Sequence, residues 1–142
     1  EPQYVIPLIG MILGNSLTGI ALGLDRFLDH LSTRHAEIEL RLAYGASRRE
    51  ALAAPLQDAV RTGMVPIINA MAAAGIVSLP GMMTGQILAG APPLQAVAYQ
   101  IVVMFMIAAA VAGGAMLVVL LAGRHFMGAD AVLRLDRLGT TK

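Results

Sequence analysis

Polar and apolar positions along this chain fall into long blocks rather than short periods. Gln3 to Leu24 holds no charged residue and no histidine. A polar stretch follows over 25–62, then a second block without charge or histidine from Thr62 to Gly123, then a polar tail over 124–142. A helix needs about 20 apolar residues to cross a bilayer. The blocks therefore predict membrane helices, the first at about 4–24. The second block is long enough for two, and Pro92-Pro93 inside Gly90-Ala-Pro-Pro-Leu94 cannot continue a helix. This places spans at about 64–90 and 95–123. A helix over 64–90 would be about 40 Å long at 1.5 Å per residue, too long for a core of about 30 Å. Pro80 removes a backbone hydrogen bond and clashes with the carbonyl four residues earlier. A break near Leu79–Gly81 is expected, with a re-entrant half-helix over 81–90 as the alternative.

Composition agrees with this reading. The chain is 57% hydrophobic and 13% charged, against about 25% charged in soluble domains. The expected class is an all-α, polytopic membrane bundle. The net charge is +1, with no basic stripe and no aromatic stacking set, so nucleic acid is not an expected partner; the lipid bilayer is. Cysteine is absent, which excludes disulfides and thiolate metal sites. No basic region precedes the first apolar run, so no signal peptide is visible. The chain begins with Glu1 at the edge of a span and reads as a piece, 1–142, of a longer polypeptide.

Charge also sets orientation. Arg26, Arg34, Arg41, Arg48, Arg49 and Arg61 lie in the first polar stretch, and Arg124, Arg134, Arg137 and Lys142 in the tail. Basic residues stay on the cytoplasmic side. Loop 25–62 and tail 124–142 are therefore expected inside, with an even number of spans between them. The N-terminus of the segment is then outside and its C-terminus cytoplasmic. In the first span, Gly10, Gly14, Gly19 and Gly23 form two small-xxx-small pairs that admit a close neighbour. Asn15 and Thr18 are placed to hydrogen-bond to that neighbour.

The polar loop carries local structure. Ser47-Arg-Arg-Glu50 reads as a capping box, and Tyr44-Gly45 as a helix end with glycine in the left-handed position. One helix should end near Tyr44 and another begin near Arg48. "AEIELRLA" alternates like a strand, but its residues are mostly strong helix formers. Glu37 and Arg41 also make an i,i+4 pair in the favourable order, so a helix is expected. The second helix should run from Arg48 into the membrane, bent at Pro55 or Pro66. A short helix, a tight turn and a helix feeding a span make a rigid protrusion suited to passing on the movement of a soluble partner. Resting on the bilayer surface is the competing role.

The segment "GIVSLPGMMTGQILAG" (75–90) gathers the polar groups of the uncharged block. Ser78, Thr84 and Gln86 flank Pro80-Gly81, and Asn69 lies about two turns before. Broken backbone at membrane depth is tolerated where protein buries it or water reaches it, and transporters use such breaks to present polar groups to substrates. The candidate gating or substrate-path residues are Asn69, Ser78, Pro80, Gly81, Met82, Met83, Thr84 and Gln86. The thioethers of Met82 and Met83 suit soft ions, and adjacent helical residues point about 100° apart. No metal ligand set is assigned.

Two resemblances add to this. Glu39, six residues before Gly45-Ala46-Ser47, with Arg48-Arg49-Glu50-Ala51 and Pro55 following, resembles the coupling loop of ABC-transporter permeases. That loop docks into the nucleotide-binding subunit. Leu40 and Arg41 stand where two alanines often follow the Glu. The resemblance implies ATPase-coupling roles for Glu39, Gly45, Ala46 and Ser47. More widely, "PLIGMILGNSLTGIALGLDR", "GASRREA", "INAMAAAGIVSLPGMMTGQILAG" and "YQIVVMFMI" together resemble the FetB-type ABC permease family of bacterial iron-export permeases and related plant aluminium-tolerance permeases. The resemblance spans nearly the whole chain. It implies a C-terminal permease segment with a cytoplasmic coupling helix-turn-helix, in the inner (plasma) membrane. It also implies a permease homodimer, a separate ATP-binding subunit and export of a metal ion such as iron.

No ATP site is expected on this chain. A phosphate-binding loop ends in Lys-Ser or Lys-Thr, and the sole lysine is Lys142. No catalytic residue or cofactor is assigned; Ser16 and Ser78 have no acid–base partner at membrane depth. The other function class is a fragment of a secondary transporter or channel. Such carriers usually place ionisable groups within the membrane, and both apolar blocks lack them.

Overall fold

The computed structural model describes residues 2–76 and 79–127. Five helices follow in order: α1 (Pro2–Thr33), α2 (His35–Ala43), α3 (Arg48–Ala73), α4 (Gly81–Leu88) and α5 (Pro93–Phe126). The class is all-α, as expected. Two helices, α1 over Val5–Thr33 and α5, are long and apolar enough to cross a membrane. At 1.5 Å per residue the whole helices α1 and α5 are about 48 and 51 Å long, so both outrun a hydrocarbon core of about 30 Å. The span expected over 4–24 lies within α1, which continues as helix to Thr33. Asp25, Arg26 and Asp29 are carried within the helix.

Packing follows small residues. Gly19 on α1 meets Gly63 on α3 so closely that a Cβ built on Gly63 would lie 2.6 Å from the Gly19 carbonyl oxygen. A Cβ on Gly23 would lie 3.1 Å from the Ala59 carbonyl oxygen and 3.8 Å from the Ala115 methyl. The pairings Gly19–Gly63 and Gly23–Ala59 run α3 antiparallel to α1. Gly19 against Val111 and Gly23 against Ala115 run α5 parallel to α1. Among the described residues, Gly19–Gly23 is the small-xxx-small pair that meets neighbouring helices; a Cβ at Gly10 or Gly14 would meet nothing within 4 Å. Among the described residues Asn15 and Thr18 bond within their own helix. Asn15 Nδ2 donates to the Met11 carbonyl at 2.8 Å and Thr18 Oγ1 to the Gly14 carbonyl at 3.1 Å. These are the back-bonds short polar side chains make within a helix.

The core has two centres. Phe27, Leu31, Ile38, Ala51, Leu52, Ala59 and Val119 join α1, α2, α3 and α5 at one end, and Ile67, Val103, Ile107 and Val111 at the other. The α5 contribution is a stripe at three- and four-residue steps, Ala96, Gln100, Val103, Ile107, Val111, Ala115, Val119 and Gly123, as one buried helical face requires.

Two terminations shape the rest. Helix α2 ends in a Schellman motif: Gly45 has φ +89, its N–H reaches the Leu42 carbonyl at 3.0 Å, and the Ala46 N–H reaches the Arg41 carbonyl at 3.0 Å. Glycine has no Cβ to oppose that conformation. Helix α4 ends the same way at Gly90. Between α3 and α4 the interruption is wider than a proline kink. The helix stops at Ala73, Gly75 takes φ +82, and Pro80 caps α4. Pro80 disfavours helix at the residue before it, while Gly75 ends α3 independently. Both Pro55 and Pro66 are carried inside α3. Ser78 and the residues 128–142, with Arg134, Arg137 and Lys142, lie outside the described residues.

Candidate functional site

The α2–α3 element is built as its sequence suggests. Ser47 caps α3; its Oγ accepts from the Glu50 N–H at 3.4 Å, and the Ser47 N–H donates to Glu50 Oε2 at 2.8 Å. The Ser47 N–H bond, with a second from Ser47 Oγ to the same Oε2 at 2.8 Å, holds the Glu50 carboxyl below its ordinary range. Arg41 Nη2 donates to Glu37 Oε1 at 2.8 Å. Ile38 is buried and Leu42 packs beside it against the Phe27 cluster, so α2 is fixed to the ends of α1 and α3. Its other face is open: Glu39 is exposed, Leu40 is 56% exposed and Tyr44 85%. Gly45 and Ser47 are exposed and Ala46 is half-buried. Gly45, Ala46 and Ser47 thus form one tight turn, and Glu39 is exposed on α2 six residues before it.

Just beyond this element an ion cluster joins α1 to α3. Asp58 Oδ2 accepts from Arg26 Nε at 2.8 Å and lies 2.9 Å from His30 Nε2. The Arg26 hydrogen bond is the main cause holding the Asp58 carboxyl below its ordinary value, against the smaller opposing effect of desolvation. The sequence reading missed this cluster. Its one available signal was the i,i+4 spacing of Arg26 and His30 on one face of α1.

The break segment divides its candidates. Pro80 caps α4, and its carbonyl accepts from both the N–H and the Oγ1 of Thr84, at 3.0 and 3.2 Å. Thr84 is thereby occupied within its own helix. Met83 is buried and Met82 only half-buried, so the two thioethers face different surroundings, as adjacent helical positions must. A Cβ at Gly81 or Gly85 would meet nothing within 4 Å. Asn69 is exposed on α3. Gln86 lines a recess of about 250 Å³ with Ala91, Gln95, Ala96 and Tyr99. Among the described residues no three His, Cys, Asp or Glu side chains gather to hold a metal ion.

One polar group is more buried than any sequence-named candidate among the described residues. Gln100 is 5% exposed, and neither its Nε2 nor its Oε1 has a hydrogen-bond partner among the described residues. An unsatisfied buried polar group costs about 1–3 kcal/mol. Gln100 occupies the α5 core stripe one turn inward from Ala96, and that periodicity was the signal available in the sequence.

Comparison with known proteins fits this arrangement. The profile of the uncharacterised protein family UPF0014 matches residues 1–127. The chain belongs to the UPF0014 family. Among its relatives, the UPF0014 membrane protein slr1647 of Synechocystis is 45% identical over 107 residues, covering 75% of this chain and 41% of the relative. The probable iron export permease protein FetB of Escherichia coli is 37% identical over 106 residues, covering 75% of this chain and 41% of FetB. Protein ALUMINUM SENSITIVE 3 of Arabidopsis thaliana is 37% identical over 109 residues, covering 77% of this chain and 40% of that protein. The UPF0014 chain thus spans about two fifths of the length of these relatives. No solved structure matches it. It is a helical membrane protein of this family, as its apolar α1 and α5 and its named relatives agree.

Proposed function

We propose that this chain is the membrane-embedded C-terminal part of an ABC permease that exports a metal ion such as iron. ATP is hydrolysed on a separate subunit. The similarity to FetB, 37% over 106 residues, carries this reading. The segment crosses the plasma membrane three times, through α1, through the second half of α3 with α4, and through α5. Its arginines stay inside and its N-terminal end lies outside. The antiparallel α3 between parallel α1 and α5 suits that path. Two permeases pair in the working transporter.

In this reading α2 and the turn at Gly45-Ala46-Ser47 dock on the ATP-binding subunit, with Glu39 at the contact. Movement of α2 reaches the bundle through Ile38 and Leu42. It then passes along α3, which is continuous for 26 residues from Arg48 to Ala73, about 39 Å. The end of that rod is the interruption before Pro80, so a shift at the cytoplasmic face arrives where α4 is attached. The Asp58 pairings with Arg26 and His30 make α1 travel with α3. Asn69, Gly81, Met82, Met83, Thr84 and Gln86, with Ser78 and Pro80, line or gate the path. Its donors are amide, hydroxyl, thioether and backbone oxygen, which hold an ion weakly enough for release.

The test is transport. Inside-out vesicles carrying the full-length protein and its ATPase should take up ferrous iron when ATP is added, and not with a non-hydrolysable analogue. Equal uptake with and without ATP hydrolysis overturns the proposal.

A further inference from the structure

We propose that Gln100 is a substrate-contact residue of the transport path, uncovered when α4 moves away from α5. Its ligand class is a hard, partly hydrated cation held by neutral oxygen donors. The inference rests on the transport reading above and adds to it a residue and a site.

Three observations converge. Gln100 is buried, with both amide atoms unpaired among the described residues. A buried primary amide that nothing satisfies calls for a reason, and a second state in which it is satisfied supplies one. The recess one turn from it is bordered by the shortest helix among the described residues. Helix α4 has only eight residues, packs mainly on α5, and sits between the left-handed turns at Gly75 and Gly90. Finally, a polar opening already exists there. Gln86 on α4 lines the recess of about 250 Å³ together with Gln95, Ala96 and Tyr99 on α5. Gln100 is the next residue inward from Ala96 on the same stripe. Displacing α4 extends the recess by one turn and joins Gln100 to Gln86, Gln95 and Tyr99.

The chemistry of that lining selects the ligand. It presents amide and phenol oxygens, with no thiolate, imidazole or carboxylate. Carbonyl-type oxygens and water suit hard cations. Neutral donors leave the ion its charge and some of its water, which makes a weak exit site.

The test uses the asymmetry between losing a structural bond and losing a transport contact. In the full-length protein, Gln100→Leu replaces an unsatisfied amide by an apolar side chain of similar size. A structural amide with a partner would be missed on unfolding; an unpaired one would not. The expected result is an unfolding midpoint in detergent equal to or above that of the natural protein, with ferrous iron transport about threefold to tenfold lower. Transport unchanged, or a lower midpoint, overturns the proposal. A second readout does not depend on iron. Gln100→Cys in the full-length protein should react with a charged, water-soluble methanethiosulfonate reagent in membranes, faster when ATP is cycling. Complete protection in all states overturns the inference. Reaction without any ATP-driven iron transport by the natural protein leaves this site standing and removes the functional reading instead.

Discussion

Gly63→Ala tests the helix crossing on which the bundle depends. The added Cβ would lie 2.6 Å from the Gly19 carbonyl oxygen, 3.4 Å from the Gly19 carbonyl carbon and 3.5 Å from the Ala115 methyl. The first of these contacts is with backbone, which cannot rotate away. To restore an ordinary separation of about 3.4 Å, α1 and α3 must part by about 0.8 Å. A gap of 0.5–1 Å forfeits about a quarter to a half of the dispersion energy of each contact it opens, and overpacking a tight site costs about 1–3 kcal/mol. Against this stands the gain of about 0.5–1 kcal/mol from replacing glycine by alanine within a helix. The net expectation is a loss of about 1 kcal/mol, and at most about 2.5 kcal/mol. Gly10→Ala is the matched control, because its Cβ meets nothing within 4 Å. It should be neutral or slightly stabilising. Thermal unfolding of the full-length protein in detergent, followed by the loss of the monodisperse peak, reads both. Equal midpoints for Gly63→Ala and Gly10→Ala would refute the close crossing.

Three further predictions concern the polar end of the bundle. Ser47→Ala removes the cap of α3 and should cost about 1 kcal/mol, read as a lower midpoint in the same assay; no change would mean the cap is idle. Gly45→Val puts a β-branched residue at φ +89, so it should reduce stimulation of the ATPase while the protein still inserts, and full stimulation would exclude a coupling role for this turn. The Asp58 carboxyl is held below its ordinary value of 3.8, so its stabilising effect is complete above that pH and is lost as pH falls through the lowered value. Asp58→Asn should therefore flatten the acid limb of stability against pH; an unaltered limb would assign the effect elsewhere.

What the sequence disclosed depended on how local each signal was. The end of α2 and the start of α3 were legible because Gly45 and the Ser47–Glu50 box act within four residues of chain. The α1 surface was half legible. A small-xxx-small repeat marks where a helix admits a neighbour, but Gly10–Gly14 and Gly19–Gly23 look alike. Only packing shows that the second pair meets Gly63 and Ala59. Gly63 itself was not singled out, since one glycine inside a helix carries no pattern. The full length of α1, to Thr33, was not legible because loss of apolar character does not end helical hydrogen bonding. The break before α4 was placed at Pro80, but Gly75 opens it earlier. Gln100 escaped notice beside Tyr99, where a polar residue near a helix end reads as surface. Its burial is a property of the packed α5 stripe.

The central claim, that this segment works with a separate ATPase through the α2–α3 turn, is tested most directly by affinity purification of the full-length protein from its own membranes. A Walker-motif ATPase subunit should accompany it in stoichiometric amount, and Glu39→Ala should lower the ATPase activity of the complex while the protein still inserts. Purification without such a subunit, or an ATPase unaffected by Glu39→Ala and Gly45→Val, would contradict the account.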